Sequence, residues 1–227
     1  MRRLLCMLAI ALLAGCASRR EPSVVLTGLP DPEYIEHFEM PAVEVDTTDE
    51  PARLVASIPP RYPWLPVDGI SPRWRYLVIH HTATDFGSMR DIHQWHLDKG
   101  WESGCGYHFV IGNGTNSGDG QVEPGPRWWN QATGAHTRLT EEMAQRRGID
   151  SGHYNEYGIG IALVGNFAID RPSKAQLDAL VDLILALMQE CHIPLARVVG
   201  HGEVDETTCP GDNFSMWNLR TRLRNAQ

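Results

Sequence analysis

Two imidazoles and one thiol stand out by type and setting. His80 ends the apolar part of Val78-Ile79-His80-His81-Thr82-Ala83, His201 lies in Gly200-His201-Gly202-Glu203-Val204, and Cys209 follows in Thr207-Thr208-Cys209-Pro210. Two nitrogen donors and a thiolate suit a four-coordinate zinc ion with three protein ligands and one open position, the arrangement of a catalytic rather than a structural site. The open position takes water, and water on zinc ionises near neutral pH. Alternation along a strand turns His81 away from His80, so a packing role or a place behind the ligands is expected for it. Glu203, two residues beyond His201, either orients a ligand or caps and pairs locally.

These side chains need elements that bring them together. Trp74 to His80 is an apolar, β-rich run, predicted to be a buried strand whose C-terminal end delivers side chains to a site. Ser88 to Asp98 carries Met89, Ile92, His93 and His96 at helical spacing, and Gly100 stops it. Tyr107 to Ile111 reads as a second strand, with Gly112-Asn113-Gly114 as the turn and Gln121 to Pro124 as a hairpin partner. Gly158 to Val164 is a further buried strand. Ser173 and Gln176 form a capping-box pattern ahead of Leu177, Leu180, Val181, Ile184 and Met188 on one helical face. Arg197 to Gly200 is a short strand leading into His201, and Met216 to Arg224 a final helix. Strands alternating with helices predict an α/β fold: a single domain with a mixed central β-sheet flanked by helices.

The ends carry other information. Arg2 and Arg3 precede the apolar run Leu4 to Leu13, which is too short for a comfortable bilayer span. Leu13-Ala14-Gly15-Cys16 then resembles a bacterial lipobox, which makes residues 1–15 a lipoprotein signal peptide and Cys16 the lipidated residue; the alternative is an ordinary secretory signal with an incidental cysteine. Ala17 and Ser18 in place of Asp resemble the default outer-membrane address, on its periplasmic face. Residues 16–60 are punctuated by Pro22, Pro30, Pro32, Pro41 and Pro51 and include Glu44, Asp46, Asp49 and Glu50, the composition of an extended tether. Residues 61–227 suffice for one folded domain. Twenty Lys and Arg face 28 Asp and Glu, a net charge of −8, and loss of Arg2 and Arg3 with the leader makes it −10. That balance argues against a nucleic-acid partner. Membrane attachment rests on the lipid at Cys16 alone. Cys105 and Cys191 form one disulfide or remain buried free thiols.

Six pieces in order carry a family resemblance: Tyr76-Leu-Val-Ile-His-His-Thr-Ala83, Gly100-Trp101, Gly106-Tyr-His-Phe-Val-Ile111, Gly134-Ala-His136, Gly158-Ile-Gly-Ile161 with Gly165-Asn-Phe167, and Gly200-His201 through Cys209-Pro210. Together they resemble the zinc-dependent N-acetylmuramoyl-L-alanine amidases, a family that includes phage amidase lysozymes and the peptidoglycan recognition proteins. The resemblance covers nearly all of the folded part. It implies the peptidoglycan recognition protein-like fold, Zn2+ on His80, His201 and Cys209, and hydrolysis of the amide joining N-acetylmuramic acid to L-alanine in peptidoglycan or its fragments, as in cell-wall turnover. Tyr107 matches the tyrosine that reaches the metal-bound water or the substrate carbonyl. Thr207 matches a position where relatives carry Lys or Thr; a threonine offers an oxyanion a neutral hydrogen bond where lysine offers a full charge. No Glu stands at a matched position to protonate the leaving amine, which leaves His or a relayed water. His136 falls near the metal cleft, in contact with substrate, behind the ligands, or in a purely structural role. Trp101, with Trp128 and Trp129, lies between the metal motifs, where rings pack sugars and peptide stems or fill a core. Residues 137–154 are longer than the family pattern and suggest a helical insertion beside the cleft. The alternative function is a non-catalytic peptidoglycan-binding lipoprotein. Non-catalytic members typically replace the cysteine, and Cys209 is present.

Overall fold

The structure is a computed structural model and describes residues 62–226. The expected signal peptide (1–15), the lipidation site expected at Cys16 and the expected tether (16–60) lie outside the described residues.

Tyr76–His81 (β1) is followed by Met89–Asp98 (α1), Phe109–Ile111 (β2), Val122–Pro124 (β3), Pro126–Trp129 (α2), Glu141–Arg147 (α3) and His153–Tyr157 (α4). Gly158–Leu163 (β4), Lys174–Glu190 (α5), Val198–Gly200 (β5), His201–Val204 (α6) and Met216–Asn225 (α7) complete the domain. The sheet order is β3-β2-β4-β1-β5. β1 is parallel to both β4 and β5, β2 is parallel to β4, and β3 is an antiparallel edge on β2. The sheet is therefore mixed, as expected. The predicted strand at 74–80 begins two residues later, and the one at 107–111 is shortened to its last three residues.

The pleat divides the side chains between two faces. Leu77, Ile79, Phe109, Ile161 and Leu163 pack against Leu180, Ile184 and Leu187 of α5 and Leu219 and Leu223 of α7 in the main core. On the other face Val78 meets Leu139, Met143, Tyr154 and Val204, and Val110 meets Met89, Ile92 and Val164. His80 shares the face of Val78, so it emerges between two small clusters and away from the main core.

The capping box is present: the Ser173 hydroxyl accepts the Gln176 N–H at 3.0 Å, and Gln176 Oε1 accepts the Ser173 N–H at 3.2 Å. The Gln176 amide also donates to the Val164 carbonyl at 2.8 Å, which ties the start of α5 to the end of β4. The 137–154 stretch does contain a helix, α3, capped by Thr140 and ended by Gly148 in the left-handed region at φ +64°. Cys105 and Cys191 are free thiols that pack in different clusters, and burial pushes each thiol up to about 12. Trp128 is core, its indole N–H donating to the Trp64 carbonyl.

Candidate metal centre

Strand register brings the two histidines together. Ile79 pairs with Gly200 across parallel strands β1 and β5, so the residues that follow, His80 near the end of β1 and His201 at the start of α6, lie side by side at the sheet's C-terminal edge. That edge is where parallel α/β sheets present ligand-binding groups. Their rings lie with centroids 4.5 Å apart. The chain beyond α6 then folds back: the Gly202 N–H donates to the Cys209 carbonyl at 2.6 Å, and the Cys209 sulfur accepts the His81 N–H at 3.4 Å. One ligand atom from each of His80, His201 and Cys209 lies within 4.8 Å of the others. Sγ of Cys209 is 3.8 Å from Nδ1 of His80. A tetrahedral zinc ion spaces N and S ligands by about 3.6 Å. The donor set and its spacing fit such an ion.

The outer nitrogens of both rings are engaged. Nε2 of His201 lies 3.2 Å from a carboxylate oxygen of Asp205, one helical turn along. Nε2 of His80 lies 3.2 Å from Nδ1 of His136. The carboxylate can only accept, so a neutral His201 is left with Nδ1 as its free lone pair. Desolvation by burial holds His80 well below the ordinary imidazole value, with His136 and His201 adding to it. Burial also lowers His201, against the pull of Asp205, so both rings are neutral and able to bind a cation at neutral pH. Burial pushes the Cys209 thiol up to about 11, partly offset by the His81 N–H; a bound cation reverses that, since a coordinating thiol loses its proton.

The other expected residues fall around this cluster. The Tyr107 ring centroid is 5.1 Å from that of His80. Burial, then the nearby Cys209 and Cys105 thiols, pushes its phenol well above the ordinary value, so it keeps its proton. Thr207 is exposed, and its hydroxyl oxygen accepts the Cys209 N–H at 3.2 Å, which leaves its O–H free to donate. Trp101 is 41 % exposed and lies against His96 with centroids 4.4 Å apart, next to Tyr107 in the same aromatic row. His136 is 7 % exposed and lies beneath His80, with Nδ1 3.2 Å from Nε2 of His80 and Nε2 3.2 Å from the Gly158 carbonyl oxygen. His81 turns to the opposite face, where its Nδ1 accepts the Phe167 N–H at 3.0 Å. Glu203 does not orient a ligand; it accepts the Gly200 N–H at 2.8 Å and pairs with Arg220.

Several contributors carried no functional reading in the sequence. Asp205 takes the orienting role that Glu203 was a candidate for. His93 and His96 on α1 accept the N–H groups of Cys105 (3.2 Å) and Gly106 (3.0 Å), anchoring the loop that positions Tyr107. Nδ1 of His108 accepts the Gly160 N–H at 3.0 Å, so a side chain substitutes for a strand hydrogen bond beside the site. Asn155 Oδ1 accepts the N–H groups of both His136 and Thr137, fixing the loop that carries His136. The i, i+3 spacing of His93 and His96 was the one visible signal; the other contacts join segments distant in sequence.

The sequence profile of one family, described as N-acetylmuramoyl-L-alanine amidase, matches residues 71–212, more than half of the chain. The chain is 36 % identical over 161 residues to a Sus scrofa protein named N-acetylmuramoyl-L-alanine amidase, covering 64 % of this chain and 23 % of that protein. It is 33 % identical over 157 residues to peptidoglycan-recognition protein SC2 of Drosophila simulans, covering 64 % of this chain and 72 % of that one. Among solved structures, the amidase LysC from Clostridium intestinale superposes with a TM-score of 0.53 at 28 % identity, covering 68 % of this chain and 89 % of its own. Human PGRP-IBETAC, solved in complex with glycosamyl muramyl pentapeptide, superposes with a TM-score of 0.50 at 25 % identity, covering 67 % and 87 %. The chain spans less than a quarter of the pig relative, so that protein's full activity does not transfer with the match. The chain belongs to the N-acetylmuramoyl-L-alanine amidase family, with the mixed-sheet fold that the family's amidases and peptidoglycan-recognition proteins share.

Proposed function

We propose that this chain is a zinc-dependent N-acetylmuramoyl-L-alanine amidase acting on peptidoglycan or its muropeptide fragments. The observation that carries the reading is the convergence of His80, His201 and Cys209 ligand atoms within 4.8 Å, with both histidines offering Nδ1. Zinc at this position, when bound, supplies an acidified water and a Lewis acid for a carbonyl. The remaining work belongs to the chain. Tyr107 keeps its proton and donates a hydrogen bond where negative charge develops on the scissile carbonyl oxygen. Thr207, two residues before Cys209, offers a second, neutral donor. The exposed Trp101 ring, backed by His96, offers an apolar wall for a sugar or peptide stem. Cys209 within the cluster favours catalysis over recognition alone. Lipidation at Cys16, with the tether carrying the domain on the periplasmic face of the outer membrane, completes the proposal.

The test is incubation of the zinc-loaded protein with defined muropeptides, read by mass spectrometry. Separated sugar and intact peptide stem are expected, and a chelator abolishes their release. Activity also falls in mild acid, where protons compete for the ligands. Binding without cleavage, with one zinc per chain in place, would overturn the enzyme reading in favour of a recognition protein.

A further inference from the structure

We propose that His136 is a positioning residue that fixes which nitrogen of His80 faces the ion. This rests on the proposed metal at His80, His201 and Cys209. The argument is one of donors and acceptors in a dry place, His80 being 1 % exposed and His136 7 %. Nε2 of His136 lies 3.2 Å from the Gly158 carbonyl oxygen, which can only accept. That nitrogen therefore carries the ring proton. The two ring nitrogens face a carbonyl and another imidazole, with no carboxylate against either, so the buried ring holds that one proton and its Nδ1 is a bare lone pair. Nδ1 of His136 lies 3.2 Å from Nε2 of His80, which must then be the protonated nitrogen of His80. The proton order is forced: Gly158 carbonyl, His136 N–H, His136 lone pair, His80 N–H. What remains on His80 is a bare Nδ1, the atom 3.8 Å from the Cys209 sulfur. The opposite tautomers would set two lone pairs against each other at the carbonyl and leave a proton pointing at the ion.

The relay is held rigidly. Asn155 grips the backbone of His136 and Thr137. The ring lies flat against Gly160, where a β-carbon would collide with it. The carboxylate that does the equivalent work for His201, Asp205, sits on the same helical turn as its ligand; His80 ends a buried strand and gains its partner only through a distant loop. His136 thus acts through His80 and touches no substrate.

A glutamine can imitate this histidine, since its amide oxygen accepts and its NH2 donates. Leucine fills similar space and does neither. The experiment measures zinc dissociation constants by chelator competition for wild type, His136→Leu and His136→Gln. Nitrogen NMR of the His80 ring in the metal-free wild type accompanies it. Weakening by roughly 10- to 100-fold is expected for leucine, the usual cost of losing such a partner, with most of the affinity restored by glutamine. The His80 spectrum should show a protonated Nε2 and a bare Nδ1. A proton on Nδ1 of His80 in the wild type overturns the proposal even if the leucine variant fails to fold. So does a folded leucine variant with wild-type zinc affinity. Neither readout uses turnover, so failure of the amidase reading leaves both measurable.

Discussion

Asp205 and Glu203 are two carboxylates on one short stretch, and only Asp205 reaches the His201 ring. Asp205 faces Nε2 of His201 at 3.2 Å and accepts the N–H groups of Arg138 and Glu206, while Glu203 turns back to the Gly200 N–H and Arg220. Asp205→Ala should therefore weaken zinc binding by roughly 10- to 100-fold, and Glu203→Ala should leave it unchanged; isothermal titration with zinc reads both. Equal losses in the two variants would contradict the assignment. Tyr107→Phe should lower kcat by roughly 10²- to 10³-fold, the cost of one oxyanion donor, with zinc content and KM for a muropeptide little altered. The three members of the cluster were legible in the sequence because each sits in a short segment of distinctive type. The orienting residues were not: a carboxylate four residues past a histidine reads the same whether it pairs with that ring or with solvent. His136 was legible as a neighbour of the cleft, but not as a buried one, because its burial depends on Gly158 and Gly160 from another strand.

Elements place these groups through register. β1 and β5 are parallel neighbours, and the pairing of Ile79 with Gly200 sets His80 beside His201 without any contact between the two side chains having to guide it. A shift of one residue in either strand would turn a ligand to the other face. The same alternation that was readable in Tyr76–His81 does send His81 toward Phe167. The edges of β2 were less readable: the loop before Phe109 is held by His93 and His96 from α1, so Tyr107 sits in that loop where an apolar run suggested strand. Gly160 is a demanding position in β4. Gly160→Ala should displace the His136 ring and reduce zinc affinity at little cost to helix content, seen by circular dichroism alongside chelator competition. Ser173→Ala is its control: loss of the α5 cap should cost about 1 kcal/mol of stability and leave zinc affinity intact.

For the whole molecule, the concentration of buried neutral histidines has a thermodynamic consequence. Burial lowers His80 and His108, and lowers His136 to about 3. In the unfolded chain these rings bind protons near pH 6.5; in the folded, metal-free protein they do not. The unfolded state therefore gains protons first as pH falls, and stability present above pH 6.5 is lost below it, by roughly 1.4 kcal/mol per pH unit for each such ring. The melting temperature of the metal-free protein should fall between pH 7.5 and 5.5, and a flat profile would contradict the buried neutral rings. Zinc held jointly by His80, His201 and Cys209 should raise the melting temperature at pH 7.5, because only the folded state brings the three together. The layered architecture explains why this is tolerated: the large apolar core lies on the α5 and α7 face, and the polar cluster occupies the other.

X-ray absorption at the zinc edge of the zinc-loaded protein tests the metal centre most directly. One zinc per chain is expected, with a single sulfur at about 2.3 Å and nitrogen or oxygen neighbours at about 2.0–2.1 Å. A shell without sulfur, or a protein that retains no zinc, would show that His80, His201 and Cys209 do not share an ion.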